Sequence, residues 1–373
     1  MSVDSFGANL REALSRAPDS AWIRSGLALI GWGESFVIDP GTGADRFERA
    51  LRELRATAAP CAFASFTFDE NSASSIVVVP RVLLRIERAG SRYLIGGRQD
   101  LPAPSVNATL PSGRIVGPAT DGWVKAVNEA LLAIADGEVE KVVLSRRLVV
   151  EFDDEIPSHL VLANLASGEP DAHTFLIDRF IGSSPELLVS LSAGTVRSVS
   201  LAGSADRGDP AGMHEFESEK TAREHTLAAD SVEEGLKPFC IRLDRSATQV
   251  VSYGDITHLS TTFRGRTHHG ARVTELLGAL HPTAAVAGTP TKAALELIRE
   301  LEVEDRGRYA GPVGWLAPSG EGEFAIALRC GQLEGIIATL HAGAGIVQGS
   351  DPYLELEETR IKLRPMLGAL GIT

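Results

Sequence analysis

Cysteine is scarce in this chain. Cys61, Cys240 and Cys330 are odd in number, far apart and without metal-type spacing. This excludes a disulfide framework and a cysteine-held metal centre, and it points to a reduced, cytoplasmic setting. No run of about 18 apolar residues occurs, so no membrane-spanning helix is expected. The N-terminal stretch carries Asp4, Arg11, Glu12, Arg16 and Asp19, so no apolar signal core is read there. Positive charge is also short: 36 Lys and Arg stand against 49 Asp and Glu, a net charge of −13. That balance argues against nucleic acid or an anionic membrane as a general partner. Any bound anion must be held by local cations or backbone N–H groups. Only six of the cations are lysines, so each lysine is informative.

What is present is an ordinary globular composition, 44% hydrophobic and 23% charged over 373 residues, sufficient for a sizeable core. Strands are expected within 61–68, 75–79, 82–86, 93–95, 139–152, 173–180, 186–191, 248–253, 257–264, 323–330 and 334–340. Helices are expected at 44–57, 122–135, 157–166, 213–236, 272–279, 290–300 and 352–369. Residues 99–120 are rich in Pro, Ser and Gly and read as a linking loop. Strands and helices do not alternate as a doubly wound parallel sheet requires. The predicted fold class is α+β, with large, mostly antiparallel sheets packed as a sandwich and helices outside. One domain over 1–373 is expected, with 1–98 completing the sheets. The acidic surface and the lack of an interface stripe point to a monomer.

The segment from Gly343 to Lys362 carries the most chemistry. It reads as a small-residue turn followed by a helix that Asp351 caps and Pro352 opens. Glu355, Glu358 and Lys362 fall on one helix face, a set suited to a hard cation and an anionic ligand. A plain Glu358–Lys362 surface pair fits the same spacing. Lys141 opens an apolar strand and shares parity with Val139, Val143 and Ser145. A lysine held out of water can serve as a base, and a lysine at a sheet edge can instead reach solvent. Glu186, in Gly182-Ser-Ser-Pro-Glu-Leu-Leu, is either a carboxylic acid kept protonated or an exposed strand start. The turn-like Ser200-Leu-Ala-Gly-Ser-Ala-Asp-Arg-Gly208 can cradle a carboxylate or serve as a plain loop. In Glu217-Ser-Glu-Lys-Thr-Ala-Arg-Glu-His225, Glu217, Thr221 and Glu224 share a helix face that is either functional or merely solvated. His258 and His281 are candidate site or core histidines. Arg329 ends an apolar strand, where a guanidinium needs a carboxylate from protein or ligand.

In this order these stretches, with Tyr309-Ala-Gly-Pro-Val-Gly-Trp315, resemble the chorismate-utilising enzymes. That family includes anthranilate, aminodeoxychorismate, isochorismate and salicylate synthases. The resemblance is dense over 115–370 and loose before it. Within the family, His281-Pro-Thr-Ala-Ala-Val-Ala-Gly-Thr-Pro290 is most similar to the isochorismate synthases. Ala202 stands where aminodeoxychorismate synthases carry a nucleophilic lysine. No tryptophan-sensing signature and no glutaminase region are read, so no glutaminase subunit is expected. The resemblance implies Mg²⁺-dependent isomerisation of chorismate, with Lys141 activating water at ring C2 and Glu186 protonating the departing C4 hydroxyl. It further implies Glu224, Glu355 and Glu358 as Mg²⁺-binding acids. Gly203, Ser204, Tyr309, Arg329, Gly345 and Lys362 are implied to hold the carboxylates, with His258 near the reacting ring. Thr221 departs from the family, which has an acid at that place. Salicylate synthesis and a silent chorismate-binding paralogue stay open as alternatives, as do a menaquinone and a siderophore pathway.

Overall fold

The computed structural model describes residues 5–372 except 106–107, 118–120, 207, 209–215, 217–218 and 255. Its strands are β1 (Ser20–Arg24), β2 (Leu27–Ile38), β3 (Ala62–Ser65), β4 (Ile76–Glu87), β5 (Gly90–Ile95), β6 (Gly113–Gly117), β7 (Lys141–Phe152), β8 (His173–Ile177), β9 (Phe180–Ser184) and β10 (Leu187–Ser192). They continue with β11 (Thr195–Asp206), β12 (Cys240–Arg245), β13 (Gln249–Tyr253), β14 (Ile256–Thr267), β15 (Gly288–Thr289), β16 (Pro312–Leu316), β17 (Gly322–Ile326), β18 (Cys330–Glu334) and β19 (Ile337–Val347). The helices are α1 (Ser5–Leu14), α2 (Arg46–Ala56), α3 (Asp121–Ala135), α4 (Ser158–Gly168), α5 (Glu219–Leu236), α6 (Val273–Leu280), α7 (Thr291–Leu301) and α8 (Pro352–Ala369).

Every strand pair among the described residues is antiparallel, as the α+β reading requires. The pairs form one continuous ladder: β14, β11, β10, β17, β16, β3, β4, β2, β1, β8, β9, β18, β19, β7. Strands β12 and β13 pair with β14, β5 with β4, and β6 and β15 with β7. The larger core takes side chains from both ends of this ladder, including Phe63, Phe175, Val189, Phe324 and Ile346, and from α2, α3, α5, α6 and α7. A second core lies under α1, α4 and α8. Alternation assigns each face: Trp22 and Leu29 enter the first core, while Ala21, Ile23, Ala28 and Ile30 enter the second. Strands buried on both faces read as continuous apolar runs, as Gly26–Gly31 does.

Two segments differ from the sequence reading in ways that shape the site. Gly343–Val347 is not a turn but the end of β19, paired with Lys141–Ser145 of β7. Ser200–Asp206 is likewise strand, broken by a register shift between Ala202 and Ala205. Helix α8 begins as expected: the Asp351 carboxylate accepts from the N–H groups of Tyr353 and Leu354, at 2.8 and 3.0 Å.

Candidate active site

A cleft opens where β7 and β19 meet α5, α8 and the β9–β10 turn. Glu186, Gly203, Glu224, His258, Tyr309, Arg329, Gly345, Glu358 and Lys362 all line it. Nine of the twelve residues implicated by sequence therefore converge. Lys141 lies just behind: it is fully buried, and its Nζ sits 2.9 Å from Glu224 Oε1. Parity had placed it on a buried face, and the edge-lysine alternative is set aside. Glu355 is buried on α8 but is not among the residues that line the cleft. Ser204 lies in β11, with its side chain outside the described residues, and Glu217 also lies outside them.

Glu186 sits between β9 and β10, where Ser184 Oγ accepts its N–H at 3.3 Å. One carboxylate oxygen accepts from the Leu201 N–H at 3.2 Å. Burial pushes its pKa from 4.5 up to about 7, against the pull of that hydrogen bond and of Lys141, Lys362 and Arg329. It can thus hold a proton near neutrality and give it up. Lys362 Nζ is fixed at 2.8 Å from Glu358 and donates to Gly343 O at 2.9 Å.

Arg329 follows β17 with φ +47, a left-handed conformation uncommon for a residue with a side chain. Its Nη2 lies 2.5 Å from His258 Nε2, and His258 Nδ1 lies 2.7 Å from Gly203 O. A guanidinium only donates, so Nε2 accepts and Nδ1 carries the proton that is donated to Gly203. Burial, and then Arg329, hold the His258 pKa well below its usual value. The chain therefore presents a neutral imidazole that orients a cation. Burial lowers the Arg329 pKa to about 10, and its Nη1 is buried without a hydrogen-bond partner. A buried orphan donor of this kind calls for an acceptor, such as a ligand carboxylate.

Two glycines give the site its room. A Cβ on Gly345 would stand 2.3 Å from Glu224 Oε1 and 3.0 Å from Lys141 Cε. Gly203 has φ +67, and its Cβ would stand 2.4 Å from Thr221 Cγ2. The small residues of β19 thus make room for the acid and the lysine.

A family model described as a chorismate binding enzyme matches residues 98–371. The chain belongs to the chorismate-binding enzymes. Isochorismate synthase MenF of Bacillus subtilis (strain 168) is 37% identical over 262 residues. That match covers 67% of this chain and 56% of that relative, so the chain spans little more than half of its length. The protein assigned as isochorismate synthase MenF of Mycobacterium tuberculosis (strain ATCC 25618 / H37Rv) is 36% identical over 346 residues, 87% of this chain and 90% of its own. A crystal structure assigned as the 2,3-dihydroxybenzoate-specific isochorismate synthase DhbC of Bacillus anthracis superposes with a TM-score of 0.84 at 28% identity. It covers 98% of this chain and 100% of that one.

In this chorismate-binding enzyme the carboxylates Glu224 and Glu358 face one cleft, each beside a lysine. Among the described residues no three His, Cys, Asp or Glu side chains group closely enough to hold a metal by themselves. The donors are nonetheless hard oxygens, and Mg²⁺ commonly uses one or two protein carboxylates with water and ligand oxygens completing its shell. The set fits Mg²⁺ on those terms. The sequence reading missed Arg306 and His341, which also line the cleft. His341 stacks on Tyr309 at 5.0 Å, and burial lowers its pKa to about 4. Its signal was faint, one histidine in a strand of small residues. His281 is a core residue: its Nε2 donates to Phe68 O at 2.9 Å, and its ring packs edge-on against Phe47 and Phe68. Among the described residues no helix is long and apolar enough to cross a membrane.

Proposed function

We propose that this chain converts chorismate to isochorismate. The observation that carries the reading is Glu186, a buried acid with a pKa of about 7, beside the same cleft as the fully buried Lys141. The reaction needs both. Water is a poor nucleophile, so Lys141, as the neutral amine, takes its proton as the new C–O bond forms at ring C2. Hydroxide is a poor leaving group, so Glu186 gives its proton to the C4 hydroxyl as that C–O bond breaks and the double bonds shift. The two proton transfers balance, and the reverse reaction exchanges the roles. Arg329, oriented by His258, offers its orphan Nη1 to a substrate carboxylate, and Tyr309, Gly203 and Gly345 shape the walls around it. Lys362 supplies a second cation. Glu224 and Glu358, with Glu355 behind them, would hold Mg²⁺, which when bound would supply electrostatic stabilisation of negative charge.

Product analysis tests the reading. Purified protein with Mg²⁺ and chorismate should yield isochorismate in equilibrium with chorismate, with little pyruvate. Stoichiometric salicylate and pyruvate would instead make it a salicylate synthase, and anthranilate formed with ammonium would overturn both.

A further inference from the structure

Strand β7 carries Lys141, and one of its edges is mostly bare of strand. On that edge β15 covers only Lys141 and Val142, and β6 begins only at Val149. Val143 N–H still reaches Ala287 O at 2.9 Å. Beyond that point two side chains continue the hydrogen bonding. Arg306 Nη2 donates to Val143 O at 2.6 Å, and Ser145 N–H donates to Glu302 Oε1 at 2.7 Å. Arg306 Nη1 also donates to Val286 O at 2.9 Å, across the gap where the two chains separate. Glu302 holds Arg306 through Nε at 2.8 Å and Nη2 at 2.5 Å, and it accepts from Ser145 Oγ at 3.0 Å. The guanidinium lies 4.3 Å from the centre of the Phe68 ring. The Arg306 and Glu302 side chains are only 2% and 9% exposed.

Backbone groups at an uncovered strand edge must find partners. A buried ion pair adds little net stability over apolar packing, so its use here has to be sought in geometry. Val143, Val286 and Arg306 all line the cleft, and Lys141 is two residues from the clamped carbonyl. We propose that Glu302 and Arg306 form a positioning pair that stands in for the missing strand and fixes the cleft wall. By that means they set where the reacting ring lies relative to Lys141. Arg306 would act through Val143 and Val286 and would not serve as a ligand for the substrate. The inference rests on the proposed isomerisation for its kinetic consequence only.

Two measurements test it. In the wild-type protein the Ser145 amide should resist hydrogen exchange as strongly as β7 amides paired with β19; exchange at the rate of an open edge would overturn the proposal. This holds whether or not chorismate is the substrate, so it separates a failure of the pair from a failure of the proposed function. In Arg306→Lys and Glu302→Gln, assayed where circular dichroism shows them folded, kcat should fall by about 10- to 100-fold, the scale of a small misplacement of reacting groups. KM for chorismate should change by less than about three-fold. Lysine cannot reach three acceptors at once, so Arg306→Lys should not rescue. Wild-type kcat in both variants would refute the pair, and so would a raised KM with kcat intact, which would mark Arg306 as a substrate ligand. If a variant does not fold, the wild-type exchange result decides.

Discussion

Replacing Glu186 by Gln should stabilise the protein, and more so as pH rises. The wild-type carboxyl has a folded pKa of about 7 against 4.5 when solvated. A raised acid pKa means the folded state binds the extra proton between those values, so stability falls as pH rises through that window. Below 4.5 the effect is absent, because both states are protonated. Above about pH 8 it is fully developed, and at about 1.4 kcal/mol per pH unit it reaches about 3 kcal/mol. Gln has no such dependence. The difference in stability between variant and wild type should therefore widen by about 2 to 3 kcal/mol between pH 5 and pH 8. A chain of this length has an unfolding entropy of roughly 0.8 kcal/mol/K, so the Tm gap should widen by about 3 °C. Calorimetric scans of both proteins across that range measure it, and turnover of the variant should fall by about 10²-fold or more. A Tm difference that does not change with pH would refute the assignment of Glu186 as a buried, protonated acid, whatever the activity did.

Gly345→Ala should leave the fold intact but force Glu224 away from Lys141, because its Cβ would stand 2.3 Å from the carboxylate; kinetics should show about a 10²-fold loss in kcat. Wild-type turnover would mean that Glu224 does not need its place. Arg329→Lys should raise KM by about 10- to 100-fold, the range of a charge-assisted hydrogen bond lost to a ligand carboxylate, and an unchanged KM would remove Arg329 from the binding site. Chelation should abolish turnover and Mg²⁺ restore it, with Glu358→Gln raising the Mg²⁺ requirement; full activity in excess chelator would end the metal assignment. In pH–rate profiles the alkaline limb should lie near 7 for kcat/KM and at higher pH for kcat, and coincident limbs would contradict the electrostatic account of Glu186.

Much of the site was legible because its signals are local. Asp351 before Pro352 marks the start of α8 whatever the tertiary structure, and spacing on that helix puts Glu358 and Lys362 together. Strand parity likewise buried Lys141. Other elements depend on neighbours that no local pattern reveals. Gly343–Val347 has turn-like composition, yet it is a strand whose small residues are set by Glu224, Lys141 and the Tyr309 hydroxyl opposite. Gly203 in β11 is small for a similar reason, since it lies against Thr221. The expected strand 323–330 stops at Ile326, and Cys330 opens the next, because Arg329 adopts a left-handed conformation between them. Neither Glu302 nor Arg306 was singled out, because the β7 groups they bind, Val143 O and Ser145 N–H, lie more than 150 residues away.

A chain of net charge −13 holds its cleft cations where they also act on its acid. Lys362 and Arg329, and Lys141 while it is charged, each pull Glu186 toward ionisation, and burial alone keeps it protonated. The balance is close, and a pKa near 7 is its result. Under the proposed function, a dicarboxylate entering this cleft would bring two negative charges to Lys362 and Arg329. Their pull on Glu186 would then be partly answered by the ligand, which disfavours the ionised form. On the proposed function, substrate binding would thereby load Glu186 with the proton it delivers. The opposing cations belong to the proposed mechanism: without them, Glu186 would be protonated before substrate arrived but too weak an acid to release the proton, and without burial it would be ionised and unable to donate at all.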